Sequence, residues 1–304
     1  MKTFRDRTAV LTGAASGFGL ECARIAAREG MKVVMADVQA DALEAAAAEI
    51  RALGAEVLPF RLDVSKAAEV EALGAAVRER FGAPHFVFNN AGVGFGGLIW
   101  EHSARDWEWV LGVNLMGVAH GVRVFTPMML EAARQDPDYE GHIVNTASMA
   151  GLLNTPNMGV YNVSKHAVVS LSETLYQDLR LVTERISASV LCPYFVPTGI
   201  HRSDRNRPAG DVAPLTASQL VGRAMSEKAV TSGRVTAAEV AEKVFAAMRE
   251  RQFYVYSHPQ ALALVQRRLE DVVQGRNPGD PFESRPEIGQ RLRDALREAG
   301  ATAD

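Results

Sequence analysis

The stretch from Thr8 to Asp37 restricts the fold more than any other part of the chain. Thr8-Ala9-Val10-Leu11-Thr12 is a short apolar strand that runs straight into Gly13-Ala14-Ala15-Ser16-Gly17-Phe18-Gly19. Residues 20–29 have helical composition and end at Gly30, a C-terminal cap. Residues 31–36 form a second strand, closed by Asp37. Strand, glycine turn, helix, strand and terminal acid make one βαβ unit. Parallel strands joined by a helix need a sheet covered by helices, so this unit commits the chain to an α/β architecture.

The alternation continues. Helices are expected at 40–53, 66–81, 103–134, 158–184, 215–225 and 236–251, with Pro127 kinking the long third one. Strands are expected at 56–62, 84–88, 142–147, 186–192 and 253–256. This pattern predicts a three-layer, doubly wound parallel sheet in a single domain over residues 1–257. The pattern weakens over 198–235, which follows a strand whose end faces the presumed site, and that segment is expected to form a lid. Beyond it, 258–304 reads as a C-terminal helical extension, two helices separated by Asn277-Pro278-Gly279-Asp280-Pro281.

A glycine turn between strand and helix lets a diphosphate approach the backbone and the N-terminal amides of the helix. Asp37 is placed to accept hydrogen bonds from a ribose diol, and its carboxylate would repel a 2′-phosphate. Neither Ser16 nor Val38 supplies a cation, so NAD is expected over NADP. Asp37 has a plainer alternative, as a cap for the helix that follows. Asp63 and Val64 would lie near an adenine ring, though Asp63 also suits the start of a helix. Asn89, Ala91 and Gly92 end the fourth strand, where small residues let a dinucleotide lie along the sheet edge, or simply make a turn.

Tyr161-Asn162-Val163-Ser164-Lys165 carries the chemistry. Tyrosine and lysine four apart on a helix share a face. A neighbouring ammonium favours the phenolate, and a phenol tuned in this way exchanges its proton near neutral pH. Ser148 stands at the C-terminal end of the strand before it, at the sheet edge where α/β proteins bind ligands. The pair alone is common by chance; the glycine turn, the acid after the second strand and Asn89-Asn90-Ala91-Gly92 give it weight.

Net charge is −3, which leaves no basic footprint for nucleic acid. No apolar run is long enough to cross a membrane. The first residues lack a signal-peptide core, and the two cysteines, Cys22 and Cys192, suggest no disulfide framework. A cytoplasmic protein is expected.

Taken together, Thr12-Gly13-x-x-x-Gly17-x-Gly19, Asp63, Asn89-Asn90-Ala91-Gly92, Asn114, Ser148, Tyr161 and Lys165 resemble the short-chain dehydrogenases/reductases of the Tyr-x-x-x-Lys type. The resemblance covers residues 5–257. It implies a Rossmann-type domain with seven parallel strands, a homodimer or homotetramer, and NAD(P)-dependent interconversion of a secondary alcohol and its ketone. Tyr161 would move the proton and Ser148 would hold the substrate oxygen. Lys165 would lower the tyrosine pKa and bind the nicotinamide ribose, and Asn114 would hold a water linking Lys165 to solvent. From the residues alone, Asn114 reads as a polar kink in a buried helix. The implied cofactor set is Gly13, Ser16, Gly17, Phe18, Gly19, Asp37, Asp63, Val64, Asn90, Ala91, Gly92, Tyr161, Lys165, Pro193, Val196 and Thr198, with no metal.

The chain departs from the family where Pro193-Tyr194 replaces a common Pro-Gly, so Tyr194 is expected in the substrate pocket. Val93, Phe95, Trp100, Met149, Leu153 and Met158 are the other candidates. They form an apolar, bulky set that suits a hydrophobic or aryl alcohol or ketone rather than a sugar or a carboxylate. Two alternatives stand beside this one. The first is a non-catalytic dinucleotide-binding protein. The second is an epimerase or dehydratase of the extended relatives, which the spacing of Gly13, Gly17 and Gly19 disfavours.

Overall fold

The computed structural model describes residues 1–208, 210 and 214–302. Residues 209 and 211–213 of the expected lid, and 303–304 of the extension, lie outside the described residues. The strands are β1 (Thr8–Thr12), β2 (Lys32–Asp37), β3 (Val57–Arg61), β4 (Phe86–Asn89), β5 (Gly141–Thr146), β6 (Ile186–Cys192) and β7 (Tyr254–Tyr256). They form one parallel seven-stranded sheet in the order β3-β2-β1-β4-β5-β6-β7. The doubly wound α/β fold expected from the sequence is the fold observed.

Side chains alternate across the sheet, as the two-residue strand period requires. Ala9, Leu11, Val33 and Met35 face one way, under α1 (Gly17–Arg28), α2 (Ala40–Ala52) and α8 (Ala237–Glu250). Val10 is in register with Val34 and Val87, and all three face the other way. There they meet α3 (Ala67–Phe81), α5 (Gly117–Gln135) and the C-terminal half of α6 (Gly159–Val182). The central strands β1, β4 and β5 are buried throughout, while the edge strand β3 is not. That explains why the central strands read as unbroken apolar runs. Strand order reverses between β1 and β4, which opens a crevice at the C-terminal edge of the sheet.

The helical region 103–134 is divided, and not at Pro127. Helix α4 (Ala104–Leu111) passes through a π-helical turn, Gly112–Met116, into α5, which continues through Pro127. The Gly117 amide bonds to the Gly112 carbonyl five residues back. Gly117 also lies so close to Val64 that a Cβ there would come within 2.7 Å of its side chain. The helix opens where it must pass Val64; Pro127 removes one backbone hydrogen bond without ending α5.

After β6 the chain makes a 3-10 segment, Gly199–Asn206, then α7 (Ala217–Thr231), opened by a Thr216/Gln219 capping box. The extension contains α9 (Leu262–Val273) and α10 (Pro286–Glu298). Ala261 and Val265 anchor it against Val190 and Cys192 of β6, and α10 packs on α7. Among the described residues no helix is long and apolar enough to cross a membrane.

Candidate active site

The glycine turn is shaped by contacts that admit no side chain. Gly13 and Gly17 have φ of +63° and +54°, a region that favours glycine. Gly19 is needed for closeness, since a Cβ there would stand 2.2 Å from the Gly13 carbonyl oxygen. Ser16 precedes α1 without using its hydroxyl as a cap, and both Ser16 and Phe18 line the crevice. Thr12 ties the crevice floor together. Its Oγ1 accepts from the amides of Asn90 (2.9 Å) and Ala91 (3.1 Å), and the Asn90 amide group donates back to the Thr12 carbonyl (3.1 Å). Thr146 Oγ1 donates to Asn90 Oδ1 at 3.2 Å, so the ends of β1, β4 and β5 are cross-linked.

Asp37 is held at the start of α2 and still lines the cleft. Its Oδ2 accepts from the Ala15 amide in the glycine turn (3.1 Å), and Oδ1 accepts from the Gln39 amide where α2 begins (3.0 Å). A carboxylate has about four acceptor positions, so capacity remains toward the cleft, which Asp37 lines. Asp63 likewise shapes the turn before α3, accepting from the Ser65 amide at 2.9 Å, and still lines the cleft together with Val64.

Ser148, at the end of β5, is fixed by its own hydroxyl. Oγ accepts from the Ala150 amide (3.1 Å) and donates to the Pro193 carbonyl (3.3 Å). The same hydroxyl is near enough to the Tyr161 phenol to act on its titration, and both residues line the cleft. Lys165 is buried, and its Nζ donates to the Thr146 carbonyl at 2.9 Å.

The electrostatics differ from the sequence expectation. Lys165 was expected to pull the Tyr161 pKa down. Burial instead pushes that phenol above its ordinary value, and the neighbouring Ser148 hydroxyl offsets this only in part. Lys165 Nζ lies 5.7 Å from the ring centroid and gives one of its three hydrogens to a carbonyl. Burial also lowers the lysine itself to about 8. Both groups have lost solvent, and in each the desolvation penalty on the charged form dominates.

Asn114 sits in the π turn, fully buried, and does not line the cleft. Its side chain is committed: Oδ1 accepts from the Val93 amide (2.8 Å), and Nδ2 donates to the Val93 carbonyl (3.0 Å) and to Ser164 Oγ (3.1 Å). It thus clamps the segment following Asn90-Ala91-Gly92 to α6. Gly19 is the other expected site residue absent from the cleft wall, because it packs against Gly13 beneath it. The remaining expected cofactor residues line one cleft of about 2050 Å³, among them Gly92, Pro193, Val196 and Thr198.

Among the pocket candidates, Val93, Phe95, Met149, Leu153, Met158 and Tyr194 line that cleft. Trp100 does not: it is 76% exposed in a short 3-10 turn that projects from the surface. Trp109 lines the wall instead, edge-on to Phe95. Arg207 lies over both rings, 4.5 Å from the Phe95 centroid and 4.6 Å from that of Trp109, and pairs with Asp106 at 2.6 Å. Burial tends to raise the Asp106 carboxyl, but its bonds to Arg207 and Ser103 outweigh this and lower it. Sequence reasoning placed Arg207 in the weak-pattern segment 198–235 and missed this bridge. The available signal was an arginine beyond strand six with aromatic residues near the end of strand four.

The family model of the short chain dehydrogenases matches residues 7–209. A CLA biosynthesis dehydrogenase/reductase from Lactiplantibacillus plantarum is 34% identical over 278 residues, 90% of this chain and 95% of that protein. The crystal structure of a short chain dehydrogenase/reductase from Burkholderia phymatum in complex with NAD is 53% identical, with a TM-score of 0.89 over 92% of this chain and 99% of that one. A variant of actinorhodin polyketide ketoreductase, solved with NADPH, is 29% identical, with a TM-score of 0.68 over 84% and 97%.

Proposed function

The chain belongs to the short-chain dehydrogenase family, and from that premise we propose that it interconverts a hydrophobic secondary alcohol and its ketone, using NAD in preference to NADP. One observation carries the proposal: Ser148, Tyr161 and Lys165 line one cleft, beside the apolar Val93, Leu153 and Met158, and that cleft runs on to the glycine turn.

The crevice suits a dinucleotide. Gly13 and Gly17 line it with no side chain between backbone and cleft, which leaves that backbone open to a diphosphate. Gly13, Ser16 and Gly17 would hold that diphosphate, Asp37 the ribose hydroxyls, and Lys165 the nicotinamide ribose. When bound, the oxidised cofactor supplies a hydride acceptor and a positive charge beside the phenol.

The protein's own groups manage the proton. Tyr161, held above its ordinary pKa, is a neutral phenol at pH 7, the form that gives a proton to a ketone oxygen. In the alcohol-oxidising direction it must first lose that proton. Ser148, oriented by Ala150 and Pro193, presents its hydroxyl to the substrate oxygen and stabilises charge developing there. Val93, Leu153 and Met158 exclude water around the reacting carbon. The Asp37 carboxylate disfavours a 2′-phosphate, which supports NAD.

A panel of aryl and aliphatic secondary alcohols and ketones, assayed by reduced-nicotinamide absorbance with NAD and with NADP, tests this. Expected are net cofactor consumption, preference for hydrophobic substrates and a higher kcat/KM with NAD. Preference for small polyols would reject the substrate class. Unchanged turnover by Tyr161→Phe would return the chain to a binding role.

A further inference from the structure

The chain as a whole carries a net charge of −3, yet the wall of its cleft is basic. Among the described residues that wall presents eleven lysines and arginines against six aspartates and glutamates, an excess of five. A dinucleotide diphosphate accounts for some of this near the glycine turn. It does not account for the far wall, which is made by the C-terminal extension and brings Arg267, Arg268, Arg276 and Arg285 to the cleft.

Two of these four are neutralised locally. Arg267 pairs with Glu283, and Arg276 pairs with Asp271 at 2.8 Å. Arg268, half-buried on α9, and Arg285, at the start of α10, have no carboxylate partner among the described residues. Arg285 lines the same cleft as Tyr194. Its charge acts on the phenol of Tyr194, where it opposes the upward push of burial. Tyr194 in turn follows Pro193, whose carbonyl accepts from Ser148. The path from the reacting oxygen toward the extension therefore runs from Ser148 along Pro193, past the Tyr194 ring, to Arg285. Its beginning is apolar and its end is cationic. An arginine fork binds carboxylate in two parallel hydrogen bonds, and among the described residues no carboxylate of the protein takes that place at Arg268 or Arg285.

We infer that the substrate carries a carboxylate at the end remote from its reacting carbon, received by Arg268 and Arg285 of the C-terminal extension. This rests on the proposed oxidoreductase function and deepens it. It also replaces the sequence expectation of a substrate without a carboxylate, which was drawn only from residues at the strand ends.

The test compares acid and methyl ester of the same alcohol: 4-(1-hydroxyethyl)benzoate and 12-hydroxyoctadecanoate, each against its ester, with NAD. Wild type is expected to favour an acid over its ester by about tenfold or more in kcat/KM, the worth of one charge-assisted hydrogen bond. In the double variant Arg268→Gln, Arg285→Gln that ratio falls to near one, through KM for the acid. Arg293→Gln, on α10 away from the cleft, leaves the ratio as in wild type. Equal use of acid and ester by wild type overturns the carboxylate site alone. So does a loss shared equally by acid and ester, or a raised KM for NAD, which would assign the arginines to the cofactor. No turnover of any of the four compounds, nor of the neutral alcohols of the panel above, overturns the oxidoreductase function as well.

Discussion

Tyr161 keeps its proton at neutral pH because it is buried, and the pH response of each direction follows from that. Alcohol oxidation needs the phenolate, so its kcat/KM rises as pH climbs toward the elevated phenol pKa. Ketone reduction needs the phenol, so it is level through neutrality and falls only at alkaline pH. Ser148→Ala removes the one neighbour that lowers the phenol, so the rising limb of the oxidation profile is expected to move to higher pH. A profile that moves to lower pH would contradict this. Tyr161→Phe is expected to reduce kcat by roughly 10²–10⁴-fold while reduced-cofactor fluorescence titration still reports binding. The identities of Ser148, Tyr161 and Lys165 were legible from spacing, because i,i+4 geometry is local. The sign of the tyrosine shift was not legible. It depends on how much solvent both groups lose, which only the packed structure determines. Asn114 was half legible: the buried polar kink is there, but its partner Val93 comes from another element.

At the scale of single elements, the glycine turn and the segment after β6 make contrasting cases. The turn was readable because Gly13, Gly17 and Gly19 answer to local constraints. In Gly19→Ala the new methyl would meet the Gly13 carbonyl oxygen at 2.2 Å. Such overpacking costs about 1–3 kcal/mol, expected as a lowered Tm together with weaker NAD binding; an unchanged Tm would show that the turn yields freely. The segment after β6 was readable only as a polar stretch of weak pattern. What organises it is tertiary. Arg207 is clamped between Phe95, Trp109 and Asp106, and Gln219 of α7 donates to the same carboxylate at 3.4 Å. Arg207→Leu strands Asp106 as a buried anion, and breaking one side of such a pair costs about 3–5 kcal/mol. Faster proteolysis between β6 and α7, at unchanged cleavage elsewhere, is the expected sign. Trp100 and Trp109 mark the same limit in sequence reading. Both follow strand four closely, and only the packing of α4 decides which one turns inward.

Across the whole molecule the architecture was largely legible because strand and helix periods alternate without interruption and the central strands are buried on both faces. The basic face of the extension was not, since the direction in which α9 and α10 turn their arginines is set by their seat on the rest of the protein. Burial of ionisable groups inside the sheet gives a further global consequence. His142 of β5 is fully buried, and burial lowers its pKa from 6.5 to about 3; burial lowers His85, beside β4, to about 4. The unfolded chain takes up protons below pH 6.5 that the folded one refuses. These histidines therefore leave stability intact above pH 6.5 and erode it progressively as pH falls from there toward 3. His142→Gln, which can keep a bond to Ser189, should flatten the decline of Tm between pH 7 and 4.5. A decline as steep as in wild type would place the acid sensitivity elsewhere.

Helix α10 rests on α7, and α7 borders the mouth of the cleft. The doorway is therefore braced from behind by the tail of the same chain, and no molecule can force it wider without also lifting that brace. Escape of the finished product, rather than the making of bonds, is expected to be the slow event. A rapid first turnover followed by a slower steady rate would be its signature, and a trace linear from the first millisecond would locate the delay in the chemistry instead.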